Sequence, residues 1–177
     1  NCLFIIGGNK VEDEIKLLGK GRKILSGGYL SLLALIAEGH NLGYENKVLK
    51  KELKLASLIK KNLKNIETPV DLAVNVRGKR VEIDLDELPS KYPIFDIGKK
   101  TIGRYVAEVK KARVIFLKGP VGHTGYKQFS FGTEKILKAV ASSRAFSVVG
   151  GGHLTTAMMK FGISSRRFGY VSLSGGA

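Results

Sequence analysis

The chain is poor in the residues that mark several large classes of protein. Its 177 residues hold one cysteine, Cys2. A single thiol excludes an internal disulfide framework and fits a reducing compartment. No apolar run approaches the ~18 residues of a membrane-crossing helix. The opening NCLFIIGGNK has a short apolar run without a basic leader, so it reads as a first strand rather than a secretory signal. There is no internal repeat and no low-complexity tract. Acidic residues are scarce: 15 Asp and Glu stand against 30 Lys and Arg, for a net charge of +15. Charge of that sign favours anionic partners, from nucleotides to nucleic acid to membrane surfaces, without choosing among them.

What is present fits one globular domain over residues 1–177 with a sizeable core: 44% of residues are hydrophobic and the mean hydropathy is +0.01. The organising stretch is residues 145–156, AFSVVGGGHLTT. Phe146, Val148 and Val149 make a short apolar run that fits a buried strand. Gly150, Gly151 and Gly152 follow, and His153, Leu154, Thr155 and Thr156 lead into AMMKFG. The order is strand, glycine turn, helix. Glycine lets a backbone approach a ligand closely, and the first amides of a helix lack internal partners and sit at its positive dipole end. Such a corner suits phosphate oxygens, although a plain strand-to-helix turn has the same composition.

The same grammar recurs along the chain. Residues 2–6 read as a strand ending in Gly7-Gly8-Asn9-Lys10. A helix follows with Val11, Ile15 and Leu18 on one face, closed by Gly19 and Gly21. Residues 23–26 are a second strand, and Gly27-Gly28 lead into an all-round apolar helix over 29–37, which predicts burial. His40 lies where it can cap that helix. Residues 46–66 carry the longest helical pattern, with Leu49, Leu53, Ala56, Ile59, Leu63 and Ile66 at three- and four-residue spacing. Lys47, Lys50, Lys51, Lys54, Lys60, Lys61 and Lys64 fill its other positions. Those lysines read as a solvated face; a nucleic-acid helix is the sharper alternative, but no aromatics interleave to stack bases.

Residues 70–76 and 81–85 alternate around Arg77-Gly78 and predict an antiparallel hairpin. Asp84, Asp86 and Glu87 read as an acidic loop edge, not a metal site. Asp96 to Thr101 open a helix with Ile102, Tyr105, Val106 and Val109 on its buried stripe. Residues 113–117 (RVIFL) form a strand broken by Lys118-Gly119-Pro120. Thr133 is the expected N-cap of a helix carrying Ile136, Leu137 and Val140, and residues 170–173 form a last strand. Alternating strands and helices predict an α/β domain: three αβα layers, Rossmann-like, with a mainly parallel sheet and a small antiparallel hairpin. Ligands bind at strand carboxyl ends in such sheets. Gly7-Gly8, Gly27-Gly28, Gly119-Pro120 and Gly150–Gly152 then share one rim, with Lys10 and Lys118 beside them. That rim suits a flat base and a phosphate tail.

In the order GGNKVEDEI, SGGYLSLLALIAEGHNLG, FDIGKKTIGRYVAEV, VIFLKGPVG, FGTEKILKAVASSRAFSVVGGGHLTTAMMKFGI and YVSLSGGA, the chain resembles phosphoglycerate kinase over nearly its whole length. GGGH in place of GGGD is similar to the archaeal branch. The resemblance implies the C-terminal, nucleotide-binding half, without the half that binds 3-phosphoglycerate. It implies that Gly7 and Gly8 wall the adenosine site and that Lys10 meets the phosphates. Gly27 and Gly28 would lie under the adenine, and Gly119 and Pro120 beside the nucleotide. Gly150, Gly151 and Gly152, with His153 and Thr155 opening the helix, would hold phosphates. Mg²⁺ would come with ADP or ATP, because phosphoryl transfer relies on positioning and charge neutralisation.

Several positions depart from the family pattern. Lys118 replaces an asparagine. Gly122-His123-Thr124-Gly125 stand where the family has GVFE, whose glutamate contacts the ribose. His153 replaces an aspartate linked to the metal–nucleotide complex, Glu14 replaces a lysine, and Ser174 replaces a glycine. These departures bear on ribose recognition and metal handling. The implied reaction of the complete protein is phosphoryl transfer between 1,3-bisphosphoglycerate and ADP. No catalytic residue is expected within this half, and the chain alone should not turn over. The expected protein is a cytoplasmic monomer without membrane or nucleic-acid partners. A basic RNA-binding module using the 46–66 lysines, or a degenerate regulatory nucleotide domain, are the alternatives.

Overall fold

Cys2–Ile6 forms β1, and its apolar run is buried from Leu3 onward. The computed structural model describes residues 1–18 and 23–172. Gly19, Gly21, Leu173 and Ser174 lie outside the described residues. After β1 the chain turns through α1 (Val11–Glu14) and a 3₁₀ turn over Ile15–Leu17. β2 (Lys23–Ser26) leads directly into α2 (Gly28–Ala37). That helix buries Leu30, Ser31, Leu32, Leu33, Ala34 and Leu35, as its all-round apolar sequence requires. It ends with the backbone amide of His40 donating to the Leu35 carbonyl at 3.0 Å; the capping comes from the main chain, not the imidazole.

The single helix expected over residues 46–66 does not form. The segment instead breaks into α3 (Tyr44–Val48), a 3₁₀ turn over Glu52–Leu55, α4 (Ala56–Lys60), a 3₁₀ turn over Leu63–Asn65, and β3 (Ile66–Glu67). Three-residue apolar spacing fits 3₁₀ turns as well as an α-helix. The Asn62 side-chain amide also donates to the Leu58 carbonyl at 3.0 Å, taking a carbonyl that a continuing helix would use. All seven lysines of the segment are exposed, while Leu49, Ile59 and Ile66 are buried.

The expected hairpin is present as β4 (Asp71–Val76) and β5 (Lys79–Asp84), but it is larger than expected. Asp96 and Ile97, read from sequence as the opening of a helix, belong instead to a third strand, β6 (Ile94–Ile97), paired antiparallel with β4. α5 (Lys99–Lys111) then starts after Gly98. Its first turn is capped from a distance: the Asp71 carboxylate accepts from the amides of Lys100 (2.9 Å) and Thr101 (2.8 Å) and from the Thr101 hydroxyl (2.6 Å). A Cβ on Gly98 would strike that carboxylate. The small sheet is thereby fastened to a helix of the main layer.

β7 (Val114–Lys118), α6 (Phe131–Ser142), β8 (Phe146–Gly150), α7 (Gly152–Lys160) and β9 (Tyr170–Ser172) complete the described chain. Thr133 is not the N-cap of α6. The helix begins two residues earlier and Thr133 is buried within it. The main sheet has the order β3-β2-β1-β7-β8-β9 and all its pairings are parallel. Its two faces carry separate apolar clusters. Tyr105, Val109, Leu137, Val149 and Leu154 belong to one, and Leu30, Leu33, Leu49, Leu72 and Ile94 to the other. The architecture is therefore α/β with a mainly parallel six-stranded sheet and a small antiparallel sheet of three strands. Among the described residues no helix is long and apolar enough to cross a membrane.

Candidate functional site

Because β1, β2, β7 and β8 run parallel and in register, their carboxyl ends are level. Ile6 lies opposite Ser26 and Lys118, and Lys118 opposite Gly150. The glycine corners that follow are stitched to one another through the main chain. The Gly7 amide donates to the Lys118 carbonyl, Gly8 to Pro120, Gly27 to Ile6, Gly28 to Val121 and Tyr29 to Gly8, all at 2.8–3.0 Å. A Cβ on Gly7 would strike the Pro120 carbonyl, one on Gly28 the Gly8 backbone, and one on Gly119 the Gly7 carbonyl. Glycine is thus required here by backbone packed on backbone. The N–H groups of Gly7, Gly8, Gly27 and Gly28 are spent on the seam, so these corners offer no free amide to an anion. Below it, the Tyr105 hydroxyl donates to the Ser26 carbonyl at 2.8 Å and holds the end of β2.

The corner at the end of β8 is built differently. Added Cβ atoms on Gly150 and Gly152 would meet nothing within 4 Å. Gly151 has φ +114°, which only glycine adopts without strain. Leu154 and Thr155 amides both return to the Gly151 carbonyl, at 3.1 and 3.2 Å. The donors left at the front of α7, among the described residues, are those of Gly152 and His153. Open space over unpaired helix amides is the arrangement that accepts an anion.

Above the seam lies a cavity of about 470 Å³. Gly8, Asn9, Gly28, Tyr29, Ser31 and Leu32 line it from the β1 and β2 corners. Pro120 to Gly125 line it from the loop after β7, Leu72 and Ile94–Ile97 from the small sheet, and His153 and Thr156 from α7. The small sheet is what turns an open rim into a pocket. The loop after β7 is docked on it: the His123 amide donates to the Phe95 carbonyl at 2.7 Å, and the His123 and Phe95 rings lie 4.6 Å apart. Tyr126 stacks on Phe95 from 5.6 Å, and Phe129 meets it edge-on. An apolar slot with aromatic walls and a few polar groups suits a flat heterocycle.

The electrostatics separate two buried carboxyls. Asp96 lines the pocket but is fully engaged. It accepts from Arg80 Nη1 at 2.6 Å and from the Gly132 amide at 2.8 Å. Burial still lifts it to about 6, against the lowering effect of Arg80. Glu14, at the end of α1, is lifted further, to about 8, by burial, with Lys118 pulling it down and Asp13 pushing it up. Tyr29 is raised by burial and by Glu45 and Glu52. Lys118 is half-buried and Lys10 is exposed.

Of the residues expected from sequence, Gly8, Gly28, Pro120 and His153 line the cavity itself. Gly7, Gly27 and Gly119 form the seam behind it. Lys10 and Lys118 stand beside their corners without lining the pocket, and Gly150, Gly151 and Gly152 form the α7 approach. Thr155 turns its hydroxyl back to the Gly151 carbonyl at 3.3 Å, and its neighbour Thr156 lines the cavity instead. Sequence reasoning missed Leu72, Ile94, Phe95 and Asp96. The missed signal was IFDI, a four-residue strand whose one charge is buried only because Arg80 reaches it from β5.

Among the described residues, the lining of the pocket does not fit a protein-held Mg²⁺. That ion takes oxygen ligands, the lining carboxylate Asp96 is committed to Arg80, and His153 presents nitrogen. Asp84, Asp86 and Glu87 bring ligand atoms within 4.8 Å of one another. Asp84 also takes Lys100 Nζ at 2.6 Å, and Glu87 takes the Asp84 amide at 2.7 Å.

A family model described as phosphoglycerate kinase matches residues 1–177. The chain is 40% identical to phosphoglycerate kinase of Methanothermus fervidus, covering 99% of this chain and 46% of that protein. It is 39% identical to the phosphoglycerate kinase of Pyrococcus furiosus, with the same coverage of each. Among solved structures, the crystal structure of phosphoglycerate kinase from Pyrococcus horikoshii OT3 aligns with a TM-score of 0.89 at 36% identity, covering 98% of this chain and 47% of that one. The structure of phosphoglycerate kinase from Coxiella burnetii aligns with a TM-score of 0.83 at 30% identity, over 99% and 48%. The chain spans about half the length of the curated relatives it matches.

Proposed function

The chain belongs to the phosphoglycerate kinase family, and on that premise we propose that it is the nucleotide-binding half, taking ADP or ATP in the cavity above the glycine seam. The observation that carries this reading is the contrast between the two kinds of corner. The seam is closed and apolar, a floor for a base. The Gly150–Gly152 corner is open among the described residues, with helix amides that have no partner there and room where a Cβ would sit. In this reading the base lies between the seam and Phe95–His123, and the phosphates run towards α7 with Lys118 and Lys10 neutralising them. Mg²⁺ arrives on the phosphates of the nucleotide.

The complete protein, in this proposal, transfers phosphoryl between 1,3-bisphosphoglycerate and ADP in the cytoplasm, giving 3-phosphoglycerate and ATP, with the acyl-phosphate site on the other half. This chain's contribution is to bind and orient the nucleotide and exclude water from its base end, which is most of what phosphoryl transfer asks of a protein. Titration of the chain with ADP by calorimetry tests the reading, with a random RNA oligomer as the second arm at two salt concentrations. Saturable ADP binding supports it. RNA binding that falls steeply with salt, without ADP binding, would overturn it in favour of the exposed lysines of residues 47–64. A coupled ATP-formation assay on the isolated chain is expected to show no turnover.

A further inference from the structure

Among the described residues one buried side-chain oxygen or nitrogen lacks a hydrogen-bond partner: Oε2 of Glu14. Glu14 closes α1 and is 2% exposed. Its other oxygen presses on the β1 corner, 3.3 Å from where a Cβ on Gly8 would sit, and Gly119 adjoins the same point at 3.7 Å. The carboxyl therefore sits under the rim where β1 and β7 end. The charges that face it are Lys118 at the end of β7 and Asp13 on its own helix. α2, which packs against α1, has no charged residue, and its Tyr29 feels Glu45 and Glu52 instead.

An orphaned carboxyl in that place is costly, and an apolar side chain of similar size would fill the space without the cost. We propose that Glu14 is a proton-gated positioning residue of the anion subsite at the ends of β1 and β7. Neutral, it leaves Lys118 free to meet a phosphate; ionised, it draws Lys118 inward and repels the arriving anion. Binding above the pH at which Glu14 ionises then takes up one proton from solvent, placed on the Glu14 carboxyl, and release returns it. No other bond is made or broken. The inference rests on the nucleotide reading only in placing a phosphate near Lys118. The burial that pushes Glu14 to about 8 sets the gate just above neutrality. The sign is fixed: the ionised form is the repulsive one, so anion affinity falls as pH rises.

The test is calorimetric titration of the full chain with ADP, and separately with inorganic tripolyphosphate, between pH 7 and 9.5 in buffers of different ionisation enthalpy. The ADP phosphates are largely ionised above about pH 7.5, whereas tripolyphosphate loses its last proton within the range, so its own proton linkage is subtracted by titrating Glu14→Gln in parallel. The wild-type affinity should stay level up to the ionisation of Glu14, at about 8, and fall by roughly tenfold per pH unit above it, with proton uptake rising towards one per ligand. Glu14→Gln should bind with a flatter profile and less uptake. If that variant does not fold, the wild-type proton uptake decides alone. Equal slopes for wild type and Glu14→Gln, or absent uptake, would overturn the gate. Tripolyphosphate following the gated profile while ADP does not bind keeps the gate and rejects the nucleotide reading. ADP binding with a pH-flat profile does the reverse, and failure of both ligands to bind rejects both.

Discussion

Arg80 on β5 donates Nη1–H to Asp96 Oδ2 on β6 at 2.6 Å, with the Asp96 side chain fully buried and Arg80 nearly so. The same guanidinium donates to the carbonyls of Ile97 (2.9 Å) and Gln128 (3.1 Å). One side chain thus ties both outer strands of the small sheet to the loop that roofs the pocket. Removing it leaves a buried charge unpaired, which costs about 3–5 kcal/mol in comparable sites. Arg80→Met should lose stability of that order at pH 7.5, and less at pH 5, where Asp96 is protonated and leaves no charge to strand. Urea unfolding at the two pH values measures the difference.

The two carboxyls raised furthest, Asp96 and Glu14, bear most on the pH dependence of stability. Asp96 ionises near 6 and Glu14 near 8 in the folded chain, against ordinary values of 3.8 and 4.5. Between the ordinary and raised values the folded state holds more protons than the unfolded one, so stability falls as pH rises. The window runs from about 4 to 6 for Asp96 and from about 4.5 to 8 for Glu14. Each tenfold gain in proton affinity on folding is worth about 1.4 kcal/mol, so ionising Glu14 costs the fold up to roughly 5 kcal/mol. Glu14→Gln should therefore raise the melting temperature at pH 8.5 relative to wild type and change it little at pH 4.5. Thermal unfolding followed by circular dichroism at both pH values tests this.

The two kinds of glycine corner predict opposite outcomes for the same substitution. Gly7→Ala and Gly119→Ala drive a methyl into the Pro120 or Gly7 backbone and should destabilise the fold severely. Gly150→Ala and Gly152→Ala meet no atom of the described residues within 4 Å and should leave stability unchanged or raise it by up to ~1 kcal/mol. If the open corner holds phosphates, these two should still weaken ADP binding about tenfold or more. Melting temperature and ADP titration on all four variants separate fold from ligand.

His153 heads α7 and lines the cavity as a nitrogen donor. His153→Asp places a carboxylate near the helix N-terminus, which favours the helix by about 0.3–1 kcal/mol, but it also faces the proposed phosphates. ADP affinity without metal should fall several-fold and be restored by added Mg²⁺, which the new oxygen can coordinate. Paired titrations in EDTA and in Mg²⁺ read this out, and an unchanged ratio would count against phosphates lying at His153.

The parallel strands were legible because each couples a short apolar run to glycine, a local pattern that β1, β2, β7 and β8 all obey. The rim they share followed from parallelism alone. The segment over residues 46–66 was not legible. Its leucines keep a helical spacing that short helices and 3₁₀ turns satisfy equally, and its breaks come from bonds such as Asn62 to Leu58. β6 was hidden for a different reason. Asp96 looks like a surface residue until Arg80, sixteen positions earlier, folds over to neutralise it. The pocket's far wall therefore depended on contacts between distant segments, whereas its floor was written in consecutive residues.

The stitched corners also say where change is cheap. Gly7, Gly27 and Gly28 leave no room for a Cβ against another segment, so replacing any one of them disturbs at least two turns together. The opposite wall, which includes Leu72, Ile94 and His123, carries side chains of variable size. In a selection for altered base preference, the winning substitutions should accumulate on the small sheet and the loop after β7, while the strand-end glycines stay fixed.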